Sequence, residues 1–274
     1  MALKAEMFQR TGAYKIRGAL NKLRLLSDDQ KRRGVICSSA GNHAQGVALA
    51  AAINGVRAVV VMAENATASK IEATRGYGAQ VILHGTIWDE ANEEALRLVA
   101  EQGLSYVHPF DDPVVIAGAG TVGLEIEEDA PEADVVIVGV GGGGLVSGIQ
   151  TAVGAPRRVV LVEPELSTAF HTGVERGEPV PVTPTSIADG LSAPFAGRLA
   201  LEICKDNERV LVSEDEIEHA FRMLYQRAKL AVEPAAAVAA AAWLAGKIEA
   251  ENPVLVISGG NVAGQTAAAI LARP

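Results

Sequence analysis

The sequence predicts an α/β protein with parallel strands and helices on both faces, and three observations carry that expectation. Short aliphatic runs recur along the chain, stretches with apolar residues at helical spacing separate them, and 28 glycines with only 4% aromatics suit tight turns and aliphatic layers. The runs are apolar throughout rather than alternating, as in strands buried on both faces. Strands are expected at 34–37, 58–62, 80–83, 134–138, 158–162, 209–212 and 254–258. Helices are expected at 44–53, 69–77, 89–101, 145–153, 214–229 and 235–250. Ser213 is placed to cap the helix that begins with the acids Glu214, Asp215 and Glu216. The Ala-rich run from Pro234 to Gly246 falls short of the ~20 residues that span a bilayer, so it reads as a buried helix. The polar stretch 64–69 and the Pro-flanked stretch 107–113 read as loops. The expected domains are a small one at 34–112 and a large one made of 1–33 and 113–274.

Composition excludes several partners. The chain has 274 residues with 24 basic and 33 acidic side chains, a formal charge of −9, and Lys31-Arg32-Arg33 is its one short basic cluster. That gives a phosphate backbone no footprint, so nucleic acid is not expected as a partner. No membrane span is expected either. The start, MALKAEMFQR, carries no apolar signal region, and Cys37 and Cys204 are too few for a disulfide framework or a thiolate metal site. A cytoplasmic, reducing setting follows as the expectation.

Three expected strands run into glycine-containing loops followed by helical sequence: Ser38-Ser39-Ala40-Gly41-Asn42-His43, Gly139-Val140-Gly141-Gly142-Gly143-Gly144-Leu145 and Ser258-Gly259-Gly260-Asn261. Carboxyl ends of strands are where open α/β sheets bind ligands. The run Gly141–Gly144 can turn backbone N–H groups toward a phosphate, and the helix starting near Leu145 adds the positive end of its dipole. No Gly-Lys-Ser/Thr follows, which excludes a nucleoside triphosphate P-loop. The same loop also satisfies G-x-G-x-x-G with Glu163 nineteen residues beyond Gly144, so a nicotinamide-dependent oxidoreductase is a second reading.

The segment Glu6-Met7-Phe8-Gln9-Arg10-Thr11-Gly12-Ala13-Tyr14-Lys15-Ile16-Arg17-Gly18-Ala19 places Lys15 between an aromatic and an aliphatic residue, ahead of Leu20, Leu23 and Leu26. A lysine that holds a carbonyl cofactor needs such a fixed, partly apolar position. Taken alone, Lys15 reads as an ordinary surface lysine, and its context changes that reading.

Together these stretches resemble the fold-type II pyridoxal-phosphate enzymes, within them the threonine/serine dehydratase and serine racemase group. The segment around Lys15 is similar to that family's cofactor-lysine signature, and SSAGNHAQG, VGGGGL, VEPAAA (Val232 to Ala237) and SGGN follow in the family's order. The resemblance implies two open, mostly parallel twisted sheets with helices on both faces, here without the family's usual N-terminal segment. It implies that Lys15 holds the aldehyde of pyridoxal 5′-phosphate, with Tyr14 beside the ring where the family usually has Phe. Gly141, Gly142, Gly143, Gly144 and Leu145 would hold the phosphate. Asn42 would bond the ring hydroxyl, Glu233 would lie near the ring, and Ser258 would face its nitrogen. Ser39, Ala40, Gly41, Asn42 and His43 would hold the substrate carboxylate.

A serine opposite the ring nitrogen suits β-elimination better than transamination. The implied activity is conversion of L-threonine, L-serine or a related β-hydroxy amino acid to a 2-oxo acid and ammonia by a homodimer. Serine or hydroxyaspartate racemisation with dehydration is an alternative, but relatives that racemise carry Ser where this chain has Ala40. Their divalent-cation site uses carboxylates after the strand ending at Glu163, and one of those places is Ala169 here, so no divalent metal is expected, while a monovalent ion stays open. A regulatory protein that keeps the fold without turnover is the third class. His84, His108, His171 and His219 are scattered without ligand spacing, and Asp111-Asp112 reads as turn chemistry.

Overall fold

The computed structural model describes residues 1–273. Its contacts group the chain into two units, Tyr14–Gly118 and the two pieces comprising 1–13 and residues from 119 onward.

In the smaller unit, β2 (Val35–Ser38), β3 (Ala58–Met62), β4 (Gln80–Leu83) and β5 (Ser105–Tyr106) pair in parallel in the order β4-β3-β2-β5. Strand alternation sends Val35 and Cys37 to one face, where they pack with Ile16, Ala19 and Leu23 of α1 (Lys15–Arg24) and Val47, Ala48 and Ala51 of α3 (Asn42–Asn54). Ile36 goes to the other face, with Ala91, Ala95 and Leu98 of α5 (Trp88–Gln102). The sequence reading assigned α1 and α2 (Asp28–Arg33) to the large domain, whereas contacts group both with this unit. The reason is the apolar stripe of α1, which joins the core of this sheet. The basic cluster Lys31-Arg32-Arg33 is the last turn of α2, where Arg32 lies 3.3 Å from Asp29. It complements a helix dipole.

The larger unit holds β1 (Ala2–Ala5), β6 (Val135–Gly139), β7 (Arg158–Pro164), β8 (Arg209–Val212) and β9 (Pro253–Ile257) in the parallel order β1-β9-β6-β7-β8. Val135, Ile137, Val160, Val162, Leu255 and Ile257 pack against α10 (Glu214–Gln226) and α11 (Pro234–Leu244). Ser213 caps α10 as expected, accepting from the Glu216 N–H while the Glu216 carboxylate accepts the Ser213 N–H at 2.7 Å. α11 is buried almost all round, in keeping with its run of alanines.

Beyond the sequence expectations lie β1, β5, α2, α6 (Pro113–Asp129), α8 (Ala169–Arg176), α9 (Arg198–Cys204) and α12 (Gly264–Leu271). α6 starts where Asp112 accepts the N–H groups of Val114 and Val115, with Pro113 at its first position. It packs on α7 (Gly144–Ala152) so closely that a Cβ on Gly120 would fall 2.8 Å from the Gly148 carbonyl oxygen. Among the described residues no helix is long and apolar enough to cross a membrane.

Candidate active site

Tyr14, Lys15 and Ser39–His43 lie in the smaller unit, and Gly141–Leu145, Glu233 and Ser258 in the larger. Lys15 opens α1, with Tyr14 at its cap. Its Nζ donates to the Pro109 carbonyl at 2.7 Å and stands 5.2 Å from the centre of the Tyr14 ring. Pro109 belongs to the loop read from sequence as turn chemistry, where the His108 ring accepts the N–H groups of Phe110 and Asp111 at 3.2 and 2.8 Å. That loop thus supplies a lysine partner that the sequence reading did not name. Only the proline-flanked composition marked it.

The end of β2 turns through Ser39, Ala40 and Gly41 into α3. No side chain caps that helix, and Gln45 N–H donates to Gly41 O at 3.4 Å in its first turn. The N–H groups of Asn42, His43 and Ala44 come before it, a ready anion site. The Gly41 N–H is not part of it, because it donates to Ser39 Oγ at 3.1 Å. Asn42 makes its own polar contact. His43 is buried, and its Nε2 meets the Val107 carbonyl at 2.9 Å. Burial, with the Lys15 charge next, pushes its pKa down to about 3, so the ring is neutral and serves as a strut.

In the larger unit, β6 passes through a fully buried glycine loop into α7. The loop's carbonyls are used: Gly142 O accepts from Gly197 N–H at 3.0 Å, and Gly143 O accepts from the Ser147 hydroxyl at 2.7 Å. Its donors are another matter. No side chain caps α7, so the N–H groups of Gly144, Leu145 and Val146 precede the first helical bond, made by Ser147. A Cβ on Gly141 would meet the Leu191 carbonyl at 2.8 Å, and one on Gly143 would meet Ala200 at 2.3 Å. The loop therefore needs glycine and presents donors suited to a phosphate.

Glu233 and the loop after β9 come together on this side. Glu233 N–H donates to Gly259 O at 3.1 Å, and the buried Glu233 carboxylate fills the space where Cβ atoms on Gly259 and Gly190 would stand, at 2.6 and 3.4 Å. Ser258, half-buried, precedes that glycine at the carboxyl end of β9. The segment Asp189–Leu191, a short 3-10 turn, was not singled out from sequence. Glu163 has a local task instead of a ribose contact: its two oxygens accept the N–H groups of Phe170 and His171 at 2.7 and 2.8 Å, at the start of α8. Burial pushes its carboxyl up to about 8 against those two donors. Ala169, fully buried, is the first residue of that helix. Among the described residues no three His, Cys, Asp or Glu side chains gather as metal ligands.

A protein-family model described as "Pyridoxal-phosphate dependent enzyme" matches residues 1–260. An L-threonine ammonia-lyase of Thermotoga maritima is 48% identical over 268 residues, 95% of this chain and 67% of that protein. A catabolic L-threonine dehydratase of Staphylococcus aureus is 45% identical over 271 residues, 95% of this chain and 78% of that one. Among solved structures, the processed form of threonine deaminase isoform 2 from Solanum lycopersicum superposes with a TM-score of 0.93 at 36% identity, over 99% of this chain and 83% of that one. Maize serine racemase gives 0.89 at 36% identity, over 95% and 83%. A lysine at the head of a helix, an uncapped helix start after Ser39-Ala40-Gly41 and a buried glycine loop ahead of a second uncapped helix thus occur in a chain that belongs to the pyridoxal-phosphate dependent enzymes.

Proposed function

We propose that the protein is an ammonia-lyase that converts L-threonine, or L-serine, to the 2-oxo acid and ammonia with pyridoxal phosphate. The observation that carries the reading is the placing of Lys15 Nζ, beside the Tyr14 ring and 2.7 Å from Pro109 O, in the same unit as the start of α3, which no side chain caps. The 48% and 45% identities to an L-threonine ammonia-lyase and an L-threonine dehydratase support the choice of substrate.

The residues fit the cofactor. The N–H groups of Gly144 and Leu145 and the glycine backbone before them would hold the phosphate, Lys15 the aldehyde, and the Ser258 hydroxyl would donate to the ring nitrogen. Asn42 would bond the ring hydroxyl, and the Glu233 carboxylate would lie near the ring. When bound, pyridoxal phosphate supplies an electron sink for the electrons of the substrate Cα–H bond. The Lys15 amine would be the group that takes the Cα proton. The Ser39 hydroxyl and the N–H groups of Asn42, His43 and Ala44 hold the substrate carboxylate, which fixes the Cα–H bond toward the lysine. The neutral His43 ring holds the start of α3 to Val107 and moves no proton. Water lost in the elimination returns in hydrolysis, so threonine yields 2-oxobutanoate and ammonia. Two buried free thiols, Cys37 and Cys204, agree with a reducing cytoplasmic setting, and the reading includes a homodimer. The test is a coupled assay for 2-oxo acid and ammonia with L-threonine and L-serine at saturating cofactor. Cofactor bound on Lys15 with no turnover of either would overturn it. Light scattering of the holoenzyme reports the dimer.

A further inference from the structure

The backbone of Lys15 is fixed from two sides by residues without side chains. On α3, Gly46 faces it so closely that a Cβ there would lie 3.0 Å from both the carbonyl carbon and the oxygen of Lys15, and 3.2 Å from the Ile16 nitrogen. Contacts that short require the neighbour to give way. It has no room to do so. On the far side of α1 a Cβ on Gly118 would meet the Arg17 carbonyl oxygen at 2.6 Å, and one on Gly18 would meet the Val115 carbonyl oxygen at 2.8 Å. Polar ties pin the same side: Asn21 Nδ2 donates to Val114 O at 2.8 Å, and Lys22 pairs with Asp112 at 2.6 Å. The first turn of α1 is thereby held between α3 and the segment 109–118.

Gly46 lies one helical turn beyond Asn42 and His43, the residues that begin α3 after the Ser39–Gly41 turn. One rigid helix therefore carries the N–H groups proposed for the substrate carboxylate and also the surface on which the Lys15 backbone rests. We propose that Gly46 is a positioning residue: its missing side chain sets where the Lys15 amine begins its reach, and so the register between that amine and the start of α3. The inference rests on the reading that Lys15 holds the cofactor aldehyde.

The test is a binding cycle on the purified full chain with two probes, pyridoxal phosphate and 4′-deoxypyridoxine 5′-phosphate, which lacks the aldehyde. Gly46→Ala should weaken pyridoxal phosphate about tenfold and leave the deoxy probe within about twofold, because only the first reaches Lys15. In a Lys15→Ala background, Gly46→Ala should change neither dissociation constant by more than about twofold. Gly76→Ala, at the end of α4 (Ala68–Gly76) with open space beside it, should match wild type throughout. Equal weakening of both probes, the same loss in both backgrounds, no loss at all, or a Gly46→Ala protein that does not fold would each assign the glycine to packing and overturn the proposal. Borohydride reduction of wild type followed by peptide mapping separates the underlying reading: a label on another lysine removes that reading whatever Gly46→Ala does.

Discussion

The imidazole of His43 and the carbonyl of Val107 stand 2.9 Å apart in the core of the smaller unit, and this bond fixes the ring as a neutral donor. Its pKa falls to about 3, first through burial and next through the Lys15 charge. An unfolded histidine titrates near 6.5, so between these values the unfolded chain binds the extra proton. Stability from this group is thus complete above pH 6.5 and declines as pH falls toward 3, by about 2 kcal/mol at pH 5. His43→Gln should flatten that decline: between pH 7 and 5, wild type should lose roughly 2 kcal/mol more than the variant in denaturant titrations. Equal slopes would show that the ring charges freely in the folded state.

Lys15 should carry the cofactor. Reduction and peptide mapping should place the pyridoxyl group there and not on Lys70 or Lys229, and Lys15→Ala should lower turnover by at least ~10²–10⁴-fold, the range for loss of a positioned proton acceptor. A label on either other lysine would sink the assignment.

Gly143 has a φ of 92° and its added Cβ would collide with Ala200, whereas Gly177 has a φ of 74° in open space. Backbone strain alone costs about 1–2 kcal/mol, and forced overpacking adds about 1–3 kcal/mol. Gly143→Ala should therefore destabilise the cofactor-free protein clearly more than Gly177→Ala, as thermal or denaturant unfolding of the two variants will report. Similar losses would mean that α9 shifts away without cost.

In the proposed reaction Ala40 takes the place of the Ser of racemising relatives, and its methyl group has no proton to give to the substrate. The neighbouring Ser39 oxygen accepts the Gly41 N–H. Wild type should form 2-oxo acid with little D-amino acid, and Ala40→Ser should raise racemisation relative to elimination. Chiral chromatography of recovered serine beside a pyruvate assay decides it, and D-serine accumulating as fast as pyruvate from wild type would reveal a second proton carrier.

The buried strands were legible because uniform Val-Ile-Leu runs leave little alternative: β3, β4 and β8 begin and end where the runs do. β1 was not, because Ala-Leu-Lys-Ala has no such run and is a strand only through its register with β9, Ala2 against Val254. α6 was hidden for the opposite reason. Val114-Val115-Ile116 reads as strand, and Gly118, Gly120 and Gly123 dilute the helical pattern, yet those glycines permit the close approach of Gly148 and Ile149 of α7 and of Arg17 of α1. The candidate site residues stood out in the sequence by their chemistry: Lys15, the Ser39–His43 turn and the glycine loop. What sequence could not supply was the support: Pro109 under the lysine amine, Leu191 against the loop, and the Gly190 and Gly259 slot around Glu233.

The pairing of β1 with β9 has a consequence for how the chain is made. Ala2–Ala5 find their partner about 250 positions later, at Val254–Ile257, and every other strand of that sheet is likewise parallel and non-local. During synthesis the stretch from Tyr14 to Gly118 is complete long before β9 emerges, while β1 and β6 each wait with an open edge. A ribosome that stalls before Pro253 leaves those two edges without their shared neighbour, so the nascent chain stays exposed to edge-to-edge aggregation until β9 has emerged.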